Sequence, residues 1–258
     1  NLAAQSFVAD SFVHPHFTTS INYLGVLNIL EAIKILNIDT RFYQASTSEM
    51  YGEVLEDIQD ENTPFNPISP YAISKLASFH LVKNYRMAYN MHASNGILFN
   101  HESEFRGREF VTKKITTWLS EIKKNNKGPL PLGSLSSTRD WGYAPEYVEA
   151  MKLIVEAKNP DDFVVSTNTN YSVRDFLRWC CEELDYDIEF LGEGRQEVCV
   201  EKKTGIKLAY VDDKYYRPSD VKKLQGSYNK IKKELNWEPK TFAKEIAHKM
   251  IRYDLNKS

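Results

Sequence analysis

The chain has 258 residues, room for one large domain or two small ones with a core that needs no covalent staples. Hydrophobic residues make up 42% and charged residues 26%, which excludes wholesale disorder, and a net charge of −2 excludes global attraction to nucleic acid or to an anionic membrane. The cysteines, Cys180, Cys181 and Cys199, form neither an even disulfide framework nor a metal spacing, so no metal site is expected and a reducing, cytoplasmic setting is.

The opening Asn1-Leu2-Ala3-Ala4-Gln5-Ser6 reads as the end of a strand. A helix is expected from a Thr18-Thr19-Ser20 cap, with Ile21, Leu24, Val26, Leu27, Leu30, Ala32, Ile33 and Leu36 spaced at helical period. Phe42 to Ala45 reads as a strand. A loop with Pro64, Pro67 and Pro70 leads into a second long helix from Tyr71 to Tyr89. A strand at Ala93 to Phe99 precedes a helix at Val111 to Lys124, which Gly128-Pro129 terminates. Ala144 to Ala157 reads as helix, Phe163 to Ser166 as strand and Val173 to Leu184 as helix. Glu193 to Lys214 reads as a charged stretch, and Phe242 to Leu255 as a final helix. Strands alternating with helices of this length point to an α/β protein with a parallel sheet.

Tyr71 and Lys75 stand at i, i+4, so their side chains leave one helix face a turn apart. An ammonium beside a phenol favours phenolate and makes a base usable near neutrality. The same spacing recurs at Tyr210–Lys214 and Tyr228–Lys232, so spacing alone does not choose among them. Position does. Thr47 ends an apolar strand in Gln44-Ala45-Ser46-Thr47-Ser48-Glu49-Met50-Tyr51-Gly52, and ligands of open α/β sheets sit at the carboxyl ends of parallel strands.

With these residues in view, the chain resembles the extended short-chain dehydrogenase/reductase superfamily, and within it the GDP-mannose 4,6-dehydratase family. The resemblance covers essentially the whole chain. It is carried by NLAAQS at 1–6, RFYQASTSEMYG at 41–52, SPYAISK at 69–75, NGILFNHES at 95–103, RDWG at 139–142 and YRPSDV at 216–221. It implies a Rossmann-type doubly wound parallel sheet with a smaller α/β substrate lobe. Residues 1–99, with 143–170 returning, would form the NADP-binding half; 100–142 and 171–258 would form the GDP-sugar lobe.

The resemblance also implies roles. Tyr71 would take the proton of the sugar 4-hydroxyl while hydride leaves C4 for NADP. Lys75 would hold the nicotinamide ribose and tune Tyr71, and Thr47 would bind the same hydroxyl. Glu49 would remove the C5 proton and serve elimination of the C6 hydroxyl, a step that related 4-epimerases, lacking an acid there, do not perform. Ser48 stands where many sugar-nucleotide dehydratases carry an Asp. Leu2, Ala3, Ala4, Gln5 and Ser6 would pass under the cofactor, with Ser6 also facing substrate. Phe17, His101 and Arg106 would contact the cofactor, although Phe17 lacks the hydroxyl of the family's usual Tyr. Ser48, Asn100, Lys114, Arg139, Arg217 and Asp220 would surround the GDP-sugar, with Arg139 and Arg217 as bidentate diphosphate partners. Asp220 stands where the family usually has Glu. The 103–108 loop departs from the family's Pro-Arg-Arg-Gly pattern.

The superfamily's Gly-rich pyrophosphate turn is expected before Asn1, on a preceding segment, and a chain without that segment would bind NADP poorly. A homodimer or homotetramer is implied, with no nucleic-acid or membrane partner. Two other readings are a GDP-heptose dehydratase of the same chemistry and a non-catalytic binding protein on a decayed dehydratase frame.

Overall fold

Apolar runs at Phe42, Ala93 and Phe163 condense into a parallel sheet covered by helices on both faces. The computed structural model describes residues 1–54, 56–215 and 223–257. In chain order α1 (Val8–Val13) and α2 (Pro15–Thr19) lead through a π-helical turn, Ser20–Leu24, into α3 (Gly25–Ile35). Then come β1 (Phe42–Thr47), α4 (Pro70–Tyr89), β2 (Ala93–Leu98), β3 (Asn100–Glu102) and α5 (Val111–Asn125). The strands β4 (Leu130–Leu132), β5 (Thr138–Arg139) and β6 (Trp141–Tyr143) precede α6 (Ala144–Glu156) and β7 (Asp162–Val165). The remainder is β8 (Tyr171–Ser172), α7 (Val173–Glu183), β9 (Ile188–Leu191), β10 (Val198–Glu201), β11 (Lys207–Val211), α8 (Asn229–Leu235) and α9 (Ala243–Asn256).

The strands β1, β2 and β7 form the parallel sheet in the order β1-β2-β7, with Thr47 opposite Leu98 and Leu98 opposite Val165. Its strands are almost wholly buried, as a sheet covered on both faces requires. Apolar clusters lie on both sides: Val26, Leu30, Phe42, Val82 and Tyr85 in one, Tyr147, Ala150, Ile154, Phe163 and Val165 in another. A second sheet, β4-β11-β10-β9, packs with α5, α7 and α9 around Ile115, Leu119, Trp141, Phe176, Leu208 and Met250. The expected α/β architecture is what the chain adopts.

Two local expectations need correcting, and one unassigned stretch gains its elements. The first helix does not start at a Thr18-Thr19-Ser20 cap: helical structure begins at Val8, breaks at His14, and restarts with Pro15 in the first turn of α2. Thr18 is buried rather than capping, and Pro supplies the start because its fixed φ and missing N–H suit a first turn. The charged stretch Glu193–Lys214, for which the sequence predicts no element, contains two strands. It holds β10 and β11, in which Cys199, Glu201, Leu208, Ala209 and Val211 are buried while Val198, Val200 and Tyr210 are partly exposed and Lys207 is exposed. Finally, residues 223–237, expected in the substrate lobe, pack on the parallel sheet. Leu224 joins Ile97 and Phe99 on one face, and Ile231 and Trp237 join Tyr43 and Phe163 beside α6 on the other.

Candidate active site

At the carboxyl end of the parallel strands lies a cleft of about 1190 Å³, walled on the other side by α5, β4 and the loops of the second lobe. Its catalytic-type side chains come from two neighbouring elements. Thr47 is the last residue of β1, and its Oγ1 accepts from the Glu49 N–H at 3.2 Å, capping the 3₁₀ turn Ser48–Tyr51 that carries Glu49 to the cleft. Gly52 closes that turn at φ +58°, where an added Cβ would lie 1.7 Å from the Asn66 carbonyl oxygen; only glycine fits. Tyr71 stands in the first turn of α4, which Pro70 starts and the Ser69 hydroxyl caps by accepting from the Ala72 N–H at 3.1 Å.

The Tyr71 phenol and the Thr47 hydroxyl both line the cleft. Burial pushes the phenol up to about 12; the neighbouring Thr47 hydroxyl pulls it down, the Glu49 carboxylate raises it, and the Arg106 guanidinium lowers it. The charges acting on the phenol are therefore Glu49 and Arg106. Lys75, expected to supply this effect, turns instead to β1, where its Nζ donates to the Ala45 carbonyl at 3.0 Å. Only 5% exposed, Lys75 is lowered by burial to about 8. It lines the cleft and has three N–H donors, one of which Ala45 takes, so a ligand hydroxyl or phosphate oxygen beside it would be bound by an ammonium already stripped of water.

The floor is laid by the opening segment. Leu2, Ala4 and Ser6 line the cleft. Ala3 and Gln5, expected beside them, do not, because successive side chains of extended chain point to opposite sides. Gln5 instead faces the helices: its N–H donates to Asn22 Oδ1 at 2.9 Å and its amide to Asp10 Oδ2 at 3.2 Å. Phe17 is a further correction. It is 57% exposed on α2 and outside the cleft, whose wall at this end is made by Phe12 and Val13 of α1, before the His14-Pro15 break redirects the chain.

The other expected residues converge. Ser48, Asn100, His101, Arg106, Lys114 and Arg139 all line the cleft. The His101 Nδ1–H donates to the Phe99 carbonyl at 2.9 Å, its ring stacks on Tyr147, and burial lowers it to about 4, so the imidazole is neutral at pH 7. Arg106 lies over the Phe110 ring, 3.6 Å from its centroid, with Nε 3.2 Å from Glu102. Lys114 donates to the Pro131 carbonyl at 2.6 Å beneath the Tyr215 ring, and burial lowers it to about 8. Buried Arg139 donates to the Thr138 carbonyl at 2.8 Å. Arg217 and Asp220 lie outside the described residues.

Sequence reasoning missed Glu102, Phe110 and the loop Gly133–Ser137, whose Ser134, Ser136 and Ser137 line the second-lobe wall. Gly133-Ser134 after an apolar strand was a readable loop signal; nothing in a lone Phe or Glu announced a cleft. Among the described residues no cluster of three or more His, Cys, Asp or Glu side chains could hold a metal ion, and no helix is long and apolar enough to cross a membrane.

Comparison with known proteins gives this geometry relatives. The family model described as GDP-mannose 4,6 dehydratase matches residues 1–250. The GDP-mannose 4,6 dehydratase of Drosophila melanogaster is 46% identical over 257 residues, 99% of this chain and 65% of the relative. That of Sinorhizobium fredii (strain HH103) is 47% identical over 258 residues, 99% of this chain and 74% of the relative. The chain thus spans part of the length of the curated relatives it matches. Among solved structures, RMD from Pseudomonas aeruginosa complexed with NADPH superposes with a TM-score of 0.84 at 20% identity, covering 99% of this chain and 80% of that one. DesIV, a dTDP-glucose 4,6-dehydratase from Streptomyces venezuelae with NAD and TYD bound, gives 0.80 at 20% identity, covering 98% and 71%. These two likenesses establish a common fold.

Proposed function

The chain belongs to the GDP-mannose 4,6-dehydratase family, and on that premise we propose that its cleft carries out the dehydration of GDP-mannose to GDP-4-keto-6-deoxymannose. The single observation that carries this reading is the meeting of Thr47, Glu49, Tyr71 and Lys75 in one cleft at one strand end. A nicotinamide dinucleotide fits beside them: Lys75 offers a buried ammonium with donors to spare, and Leu2, Ala4 and Ser6 form an extended floor. When bound, that cofactor supplies a hydride acceptor for C4 and later a donor for C6. NADP is the form the family resemblance implies, and relative affinity for NADP and NAD decides it.

The protein's own groups perform the proton work. Tyr71 takes the proton of the 4-hydroxyl, which Thr47 holds in place, and Arg106 favours the phenolate against the burial and the Glu49 charge that oppose it. Once C4 is a ketone, the C5 proton is acidified. Glu49 removes it, and the same carboxyl then protonates the departing C6 hydroxyl, which leaves as water. Arg139 and Lys114 face the cleft as cations for the diphosphate, with Arg217 and Asp220 proposed to complete the nucleotide's surroundings. Residues 1–99 with 143–170 are read as the cofactor half and the second sheet with its helices as the substrate lobe; the molecule is read as a cytoplasmic homo-oligomer.

The test is GDP-[4-²H]mannose with NADP and the full chain. The reading expects a product that has lost water and carries deuterium at C6, because the hydride returns within one active site. Recovery of a C4 epimer, or no turnover while a GDP-heptose is dehydrated, overturns it.

A further inference from the structure

We propose that Asp140 is a positioning residue, whose buried carboxylate fastens the Arg139 corner of the cleft to the carboxyl end of the parallel sheet and so holds that guanidinium where an anionic nucleotide sugar binds. The inference rests on reading the cleft as a nucleotide-sugar site and goes beyond it by assigning a residue outside the catalytic cluster.

Asp140 is fully buried between β5 and β6. Its two oxygens divide their work. Oδ1 accepts from the Thr167 N–H at 2.8 Å and the Thr167 hydroxyl at 2.6 Å, where the chain leaves β7. Oδ2 accepts from the Gly226 N–H at 3.2 Å. Three stretches of chain therefore meet on one carboxylate. Two of them are stitched to each other as well: the Gln225 amide donates to the Asn168 carbonyl at 3.1 Å, and the Asn170 amide to the Leu224 carbonyl at 2.9 Å. Gly226 can approach so closely because it lacks a side chain. An added Cβ would lie 2.5 Å from Ser166 Cβ and 2.6 Å from a Phe99 ring carbon.

The strands on either side of Asp140 explain what this anchoring achieves. On one side Arg139 and Thr138 pair with Tyr171 and Ser172, which lead into α7 of the second lobe. On the other side Trp141 and Gly142 pair with Asn100 and His101, which line the cleft beside the parallel sheet. Arg139 is thus carried on a corner shared by the two sheets' helices and strands. The bond set of Asp140 ties that corner to β7, the neighbour of β2. The pairing of β5 spans only Thr138 and Arg139, so the Asp140 bonds add to what fixes the backbone carrying the guanidinium.

Asparagine at 140 keeps the size but offers a single acceptor oxygen, so one arm, Gly226 or Thr167, meets an N–H instead. Thr167→Val removes only the hydroxyl arm and is the gentler variant. GDP is the probe, measured by calorimetry on the full chain alongside Arg139→Met and the double variant. Loss of one arm of a buried charged hydrogen-bond set corresponds to about a tenfold effect. The expected result is GDP bound about tenfold more weakly by Asp140→Asn and less severely weakened by Thr167→Val. Adding Asp140→Asn to Arg139→Met should cost little more, because both act through one guanidinium. In turnover, KM for GDP-mannose should rise while kcat changes less than about twofold. A folded Asp140→Asn that binds GDP like the parent overturns the proposal, as do fully additive losses with Arg139→Met. If Asp140→Asn does not fold, undiminished GDP binding by Thr167→Val overturns it. Failure of the parent to bind GDP instead overturns the nucleotide-sugar reading on which it rests.

Discussion

Lys75 shows how a single residue trades stability for binding. Burial lowers its folded-state pKa to about 8, below the unfolded value, so the charged ammonium penalises the folded state at neutral pH. The sign follows: Lys75's contribution grows more favourable as pH rises from about 8 toward ~10.4, and the penalty returns as pH falls back through 8. Lys75→Met should therefore be more stable than the parent at pH 7, by up to about 3 kcal/mol, and the gain should shrink by pH 10; urea denaturation at the two pH values measures it. The same variant should lose dinucleotide affinity, because it removes the only donor proposed for the ribose. Equal stability differences at both pH values would contradict the buried-charge account. Thr47, Glu49 and Tyr71 were legible as residues because polar side chains ending an apolar strand are conspicuous. Ala3 and Gln5 fall outside the cleft because alternate side chains of the extended opening segment face away from it, and Phe17 because the chain is redirected at His14-Pro15, a break that no pattern in the sequence discloses.

Elements decide how well those residues are held. The Ser69 cap and Pro70 start α4 at the residue before Tyr71, so the base sits in a first turn whose start is fixed by the cap and the proline. Ser69→Ala should cost about 1 kcal/mol of stability and lower kcat more than it raises KM, since Tyr71 loses its fixed entry; a change confined to KM would count against this. Gly52→Ala should be harsher, because the turn carrying Glu49 needs positive φ and has no room behind it. A thermal midpoint unchanged from the parent would contradict that. Helices α4, α5, α6, α7 and α9 and the strands β1, β2 and β7 could be read from periodicity, since each buries a continuous apolar face. The sheet β4-β11-β10-β9 could not: its strands are short, and in β10 the outward residues Val198 and Val200 are apolar while the charged Glu201 is buried, so no apolar-in, polar-out alternation shows in Val198 to Glu201.

At the scale of the molecule, exposed apolar side chains are concentrated on the helices flanking one side of the sheet. Phe17, Leu24 and Ile35 stand out from α2, the π-turn and α3, and Ile73 and Met87 from α4. Such a stripe on two adjacent helices suits a helical bundle with a second copy of the chain. Light scattering at micromolar concentration should find at least a dimer, and Leu24→Glu with Ile73→Glu should shift it to monomer; a monomeric parent would refute the assignment. The central claim, that the strand-end cluster performs elimination and not mere oxidation, is tested most directly by mass spectrometry of the products of Glu49→Gln. Gln keeps the size and hydrogen bonding but cannot take the C5 proton, and a general base contributes about 10²–10⁴-fold. Hydride removal through Tyr71 should survive, so the variant should accumulate the 4-keto sugar nucleotide with 6-deoxy product reduced at least about a hundredfold. Formation of 6-deoxy-4-keto product at the parent's rate would contradict the account.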